Sequence, residues 1–99
     1  MERQFDDSSV KKIVNQAMIY QCACPAQVAE LLLELRRVEA YEQECLEQEN
    51  DELASTHVTI SKAVREAHQV LEKGLDDVLD LEGWDRRSFD MPEHLRSLR

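Results

Sequence analysis

The feature that most constrains the fold is an apolar repeat in the second half of the chain. Apolar side chains or glycine recur alternately four and three residues apart from Ile60 to Leu81, and Leu75 and Leu79 flank this stripe. This alternation is the heptad pattern of a helix that packs along one stripe against another helix. It predicts a helix over residues 57–82. The positions of the stripe are Ile60, Val64, Ala67, Leu71, Gly74, Val78 and Leu81.

A second helix with the same spacing is predicted over residues 25–50. Pro25 suits the first position of a helix, and Val28, Leu31, Leu35 and Val38 then follow at heptad intervals. Residues that cap helices or form turns follow, so we expect a turn between residues 50 and 57. No glycine or proline marks this turn. One continuous helix over residues 25–82 is therefore the alternative.

Two shorter helices are predicted at the ends of the chain. Ser8 or Ser9 caps a first helix over residues 9–22. On the third helix, His68 and Glu72 lie one turn apart, and we expect them to form a surface pair. Gly83 ends the third helix in the left-handed conformation, so that Trp84 folds back on its last turn. We assign residues 1–83 to a helical bundle domain and residues 84–99 to a tail with a short helix over 92–98.

Together these elements predict an all-α fold, and the chain's two glycines and two prolines do not favour a β fold. The expected architecture is a long antiparallel helical hairpin with a shorter N-terminal helix and a short C-terminal helix. The first helix spans ~20 Å and the hairpin ~40 Å, so part of the apolar seam lacks cover. We therefore expect a homodimeric bundle, with an interface formed by Val28, Leu31, Leu35, Val38, Ile60, Val64, Leu71 and Val78.

The charge distribution limits the classes of partner. Twelve basic residues oppose 21 acidic ones, for a net charge of −9, and residues 39–61 contain no Lys or Arg. Such a surface repels phosphate groups, so we expect no nucleic-acid or membrane partner, and a basic protein fits better. The tail carries the opposite balance and is the local exception. Its candidate partner-binding residues are Trp84, Arg86, Arg87 and Phe89.

The sequence also bears on location. No apolar run approaches the ~20 residues that cross a bilayer, and the N-terminal residues lack the pattern of a secretory signal. Three cysteines, an odd number, do not form a disulfide framework. These features predict a cytoplasmic protein.

The segment Cys22-Ala23-Cys24-Pro25 is the motif with the most chemistry. A thiol at a helix N-terminus has a lowered pKa, and two thiols this close can bind a soft metal or form a disulfide. Packing of two small side chains between helices is the simpler interpretation. Cys45 lies ~31 Å from Cys24 along a continuous helix, too far to share a metal with it. Cys22 and Cys24 are thus the metal-ligand candidates.

The function predicted from the sequence is that of a small acidic protein-interaction or regulatory module, without enzymatic activity or a cofactor. No glycine-rich phosphate loop is present, and none of the three histidines follows a glutamate at the spacing of a carboxylate-bridged metal site. A redox- or metal-responsive switch using Cys22 and Cys24 is the alternative. A nucleic-acid regulator that acts through the tail is a third hypothesis.

Overall fold

The computed structural model describes residues 1–20, 24–48 and 52–96, and it shows an all-helical chain in which three main helices pack together. The elements are α1 (Asp7–Ile19), α2 (Cys24–Leu46), α3 (Ala54–Glu82) and the short α4 (Glu93–Arg96). No strand occurs within these ranges. The all-α prediction is confirmed.

Helix α1 begins two residues earlier than predicted, because its cap is an aspartate. The side chain of Asp6 accepts a hydrogen bond from the backbone N–H of Ser9, at 2.8 Å. An aspartate caps a helix as well as a serine, and its negative charge also suits the positive end of the helix dipole. The helix ends at Ile19, and the last predicted residues, 21 and 22, lie outside the described ranges.

Helices α2 and α3 are separate, so the alternative of one continuous helix is wrong. Helix α2 ends at Leu46 and α3 begins at Ala54. Helix α2 thus ends four residues earlier than predicted, and α3 begins three residues earlier than predicted. Asn50 lies outside the described ranges. The polar residues after Leu46 compete for backbone hydrogen bonds and favour the turn.

The predicted end of α3 is confirmed. Gly83 adopts a left-handed φ of 80°, and the N–H of Trp84 donates to the carbonyl of Leu79 at 3.0 Å. This bond defines the Schellman cap. Trp84 is buried on the body of the protein. The short helix α4 covers residues 93–96, and the predicted residues 97 and 98 lie outside the described part of the chain.

The helices form a rod of 56 × 20 × 19 Å with its apolar core at one end. Helix α1 packs on α2 there, and the N-terminal segment and the tail complete the core. The other end, near the turn, is held mainly by α2 and α3. The buried core cluster is formed by Phe5, Val10, Ile13, Ala17, Ala26, Ala29, Leu32, Leu75, Leu79, Trp84 and Met91.

Candidate interaction face and buried polar network

The residues predicted to form the heptad seam lie beside the packing surface between α2 and α3. The inward-facing residues of α2 are Ala29, Leu32, Arg36 and Glu39, and those of α3 include Ser61, His68, Glu72, Leu75 and Leu79. Seven of the eight predicted interface residues immediately precede one of these positions. Val64 is the exception, since it is itself buried.

This offset places both apolar stripes on the same side of the hairpin. One residue earlier in a helix means a rotation of about 100° about its axis. Two antiparallel helices are related by a twofold axis perpendicular to the plane that contains both helix axes. This axis keeps each side of that plane on the same side. The same 100° offset on α2 and on α3 therefore places both apolar stripes on one side of the hairpin. Helix α1 and the tail occupy the opposite side, where Leu33 packs on the core and Asp76 pairs with Arg86.

We call this uncovered side the outer face. On α2 it consists of Leu31, Leu35 and Val38, and on α3 of Ile60, Ala67, Val70, Leu71, Gly74, Val78 and Leu81. The solvent-exposed fraction is 51% for Leu31, 70% for Val70 and 86% for Leu81. No charged side chain belongs to the outer face, although a third of the chain is charged. Each of these residues is exposed or half-buried, so among the described residues the outer face is largely uncovered.

The surface between α2 and α3 is, by contrast, strongly polar, and its centre is Arg36. The guanidinium group of Arg36 donates to His68 Nε2 at 3.0 Å, to the carbonyl oxygen of Phe5 at 2.6 Å and to Glu72 Oε2 at 3.2 Å. It also donates to Asp7 at 2.6 Å. These bonds tie the N-terminal segment to both long helices.

Glu72 completes this attachment of the N-terminal segment. Its Oε2 accepts hydrogen bonds from the backbone N–H groups of Gln4, at 2.8 Å, and Phe5, at 3.0 Å. The predicted surface pair of His68 and Glu72 is therefore wrong, since the two residues are only 1% and 5% exposed. Sequence spacing identified the pair but not its burial, because Arg36 reaches it from another helix.

The network fixes the protonation of His68. Since Arg36 donates to Nε2, that nitrogen carries no proton, and the proton lies on Nδ1, which is 3.5 Å from Glu72. Burial lowers the pKa of His68 and outweighs the opposite effect of Glu72, with Arg36 adding to the decrease. His68 is thus held neutral. The hydrogen bond from Arg36 likewise lowers the pKa of Asp7.

A second polar cluster lies nearer the turn and surrounds Glu39. This buried carboxylate accepts hydrogen bonds from Ser61 and Gln43, both at 2.7 Å, and from Arg65 at 3.0 Å. Burial alone would raise the pKa of Glu39, but these three hydrogen bonds together lower it. One turn further, buried Glu42 contacts His57 at 2.5 Å. The seam from Arg36 to the turn is therefore held by paired charges.

The sequence analysis missed both clusters because it treated every charged residue as solvent-facing. A signal was nevertheless present. Arg36, Glu39 and Gln43 continue the spacing that begins at Ala29 and Leu32, and Ser61, His68, Leu75 and Leu79 share one face of α3. When two long helices each carry a stripe of polar side chains, donors on one and acceptors on the other can pair, and the contact between the helices is then polar.

The candidate partner-binding residues of the tail are mostly docked on the body. Trp84 is buried and donates its indole N–H to Glu82 at 2.7 Å, and Arg86 pairs with Asp76 and Asp80. Phe89, with a left-handed φ of 57°, meets the ring of Phe5 edge to face at 5.9 Å. The side chain of Arg87 is exposed.

Two of the three cysteines, Cys24 and Cys45, lie in the described part of the chain. Cys24 is exposed at the first residue of α2, and Cys45 is half-buried. Cys22 lies outside the described ranges, so the geometry of the Cys22-Ala23-Cys24-Pro25 motif stays untested. Within the described ranges, no three His, Cys, Asp or Glu side chains are grouped as metal ligands.

No protein-family model, curated protein or solved structure matches the chain. Among the described residues, no helix combines the length and the apolar character that spanning a bilayer requires.

Proposed function

We propose that this chain is an acidic, non-enzymatic interaction or regulatory module that acts as a helical homodimer joined through the outer face. The observation that carries the proposal is the exposure of large apolar side chains along one side of the hairpin. Leu31, Val70 and Leu81 are each more than half exposed there. A continuous uncovered apolar surface on a soluble chain marks an interface.

The area of the outer face suits a weak dimer. The α3 part extends over residues 60–81, about 32 Å at helical rise, and the α2 part over residues 31–38 is shorter. With a helix width of about 10 Å, roughly 450 Å² per copy is available, or about 900 Å² in a dimer. This is near the lower limit of specific interfaces, so we expect micromolar self-association.

Charge favours a second copy over an unrelated basic protein as the occupant of this face. Each copy carries a net charge of −9, but none of that charge belongs to the outer face itself. Two copies can therefore meet there without bringing like charges into direct contact. A basic protein would instead be attracted to the acidic surfaces elsewhere, because attraction by charge does not select an uncharged patch.

The experiment compares two substitutions at neighbouring positions of α3. Val70→Glu adds a charge to the outer face, whereas Gln69→Glu adds the same charge on the opposite side of the hairpin, and both wild-type residues are exposed. Sedimentation velocity from low to high micromolar concentration measures association. We expect a dimer for the wild type and for Gln69→Glu. Val70→Glu should weaken association by about tenfold or more, because a charge in the interface is desolvated.

Two results would overturn the proposal. One is a wild-type protein that sediments as a monomer at high micromolar concentration. The other is equal dimerisation of Val70→Glu and Gln69→Glu, which would place the interface elsewhere. Circular dichroism of both variants verifies that the helical content is unchanged.

The redox- or metal-responsive switch is retained as the alternative function. It rests on the exposed thiol of Cys24 at the first residue of α2. Titration of the thiols and metal analysis of the purified protein separate the two functions. Ordinary thiol pKa values together with no bound metal would eliminate the switch.

A further inference from the structure

Gly74 has no structural role that the described part of this chain explains. It lies in the interior of α3, where glycine is about 1 kcal/mol less favourable than alanine. It is exposed, and a Cβ atom built on it would meet nothing within 4 Å. Among the described residues, only Gly83 and Phe89 have a positive φ. Neither close packing within the chain nor backbone conformation therefore requires a glycine here.

The surroundings of Gly74 on the outer face form an alternation of small and large side chains. Ala67 is the other small residue of the stripe, and Leu71 lies between the two, with Val78 beyond Gly74. Leu71 packs in part against the core and is half-buried, so part of its side chain remains exposed on the outer face. Gaps next to projections on one helix are the arrangement that a facing helix can interlock with.

A second copy of α3 in the antiparallel direction supplies the matching pattern. If Leu71 faces the partner's Gly74, the helical repeat also brings Val78 to the partner's Ala67. Twofold symmetry repeats each of these contacts. Each of these layers then joins a larger side chain to a smaller one. A parallel pair would instead place Gly74 against Gly74 and leave a void.

The distribution of charge along the chain also favours an antiparallel arrangement of the two copies. Residues 39–52 contain seven acidic residues and no Lys or Arg, and those that the structure describes, 39–48 and 52, lie at the turn end of the hairpin. An antiparallel pair holds the two acidic ends at opposite ends of the dimer, beyond several Debye lengths at physiological salt. A parallel pair would hold them side by side.

We propose that the outer face is closed by an antiparallel second copy, in which Leu71 of each α3 fills the gap at the partner's Gly74. This inference rests on the proposed homodimer and specifies its geometry. It also gives Gly74 a function. The glycine that makes α3 less stable in one copy makes room for a side chain of the other.

Substitutions at Gly74 separate folding from association. Gly74→Leu should leave the fold intact, since the site is open, and should raise the stability of α3. It should nevertheless weaken dimerisation by about tenfold or more, because the gap for Leu71 is filled. Gln69→Leu, at an exposed position on the opposite side of the hairpin, is the matched control and should dimerise as the wild type does.

A double variant tests the contact directly. Leu71→Ala/Gly74→Leu exchanges the large and the small residue, so an antiparallel partner again joins large to small. It should dimerise more tightly than either Leu71→Ala or Gly74→Leu alone, a coupling that a double-mutant cycle measures. Additive losses in this cycle, or full dimerisation of Gly74→Leu, would overturn the inference.

Spin-label distances determine the direction of the helices. In a variant with its cysteines replaced by serine, single cysteines at Thr59 and Asp77 carry the labels. The antiparallel pair separates the two Thr59 labels by about 40 Å along the axis and the two Asp77 labels by about 14 Å. A parallel pair gives equal, short distances for both. That result would overturn the inference but not the homodimer, whereas a monomeric wild type would overturn the homodimer itself.

Discussion

Arg36 donates a hydrogen bond through Nε to Nε2 of His68, at 3.0 Å, and both side chains are almost fully removed from solvent. This contact joins α2 to α3 at the middle of the rod, where apolar packing would ordinarily be expected. The same guanidinium group also binds Glu72 and the N-terminal segment. The hairpin is therefore closed by a polar seam over half of its length.

The polar seam determines which side of each helix faces outward. Turning either helix by one residue would bring Leu35 or Leu71 inward, but it would also remove Arg36 or Glu72 from its partners. A buried charge without a partner is strongly destabilising. The network thus opposes the rotation that would hide the apolar stripe, and the outer face stays available.

Replacement of Arg36 should destabilise the protein far more than replacement of its neighbour. Arg36→Met leaves Glu72 buried without its cation, and we expect a loss of about 3–5 kcal/mol in the free energy of unfolding. Arg37→Met is the control, because Arg37 is exposed and pairs only with Glu34 on the same helix. Its effect should stay within about 0.5 kcal/mol. Urea denaturation measures both.

Hydrogen exchange adds a local readout for the same pair of variants. The amides of Gln4 and Phe5 donate to Glu72, so Arg36→Met should increase their exchange rates more than those of α1. Equal stability of the two variants would show that Arg36 is not the anchor of the N-terminal segment.

The stability of the protein should decrease on mild acidification because of His68. Its pKa is lowered in the folded state relative to an ordinary value of 6.5, so the unfolded chain binds the proton more readily. The free energy of unfolding that neutral His68 contributes is complete above about pH 6.5. It is lost as the pH falls below that value, with a slope that approaches about 1.4 kcal/mol per pH unit.

Denaturation of His68→Gln at about pH 7.5 and about pH 5.5 tests this effect. Glutamine can still accept a bond from Arg36 but takes up no proton, so the variant should lose less stability over this interval than the wild type. A His68→Gln variant with an unchanged pH dependence would contradict the lowered pKa.

The two glycines should respond to alanine with opposite signs. Gly83 has a φ of 80°, where a Cβ atom is strained, so Gly83→Ala should destabilise the protein by about 1 kcal/mol or more. Gly74→Ala should stabilise it by up to about 1 kcal/mol. Thermal denaturation at low protein concentration, where association makes no contribution, measures both. A destabilising Gly74→Ala would reveal a packing role within the chain.

The salt dependence of association should distinguish a second copy from a basic partner. Two chains that each carry a net charge of −9 repel one another, and salt screens this repulsion. Sedimentation should therefore show tighter self-association as sodium chloride is raised from low to physiological concentration. Binding of a basic protein would weaken over the same range. Weaker self-association at higher salt would point to an interface made by ion pairs.

The amino-acid sequence by itself determined the number and nature of the helices. The heptad spacing from Ile60 to Leu81 predicted α3, and Gly83 marked its end, because helix periodicity and glycine caps are local properties. Proline placement predicted the start of α2 in the same way, within one residue of its position in the structure. These elements depend on neighbours within a few turns.

The tertiary structure alone decided which face of each helix packs inward. The apolar stripes of α2 and α3 were expected to pack against each other. The chain instead buries the stripe of α2 that contains Arg36 and Glu39 and the stripe of α3 that contains His68 and Glu72. A charged residue is stable in the interior only when partners from other segments reach it, and such partners are remote in sequence. For that reason the spacing of apolar residues located the helices, but only their packing placed that apolar stripe on the outside.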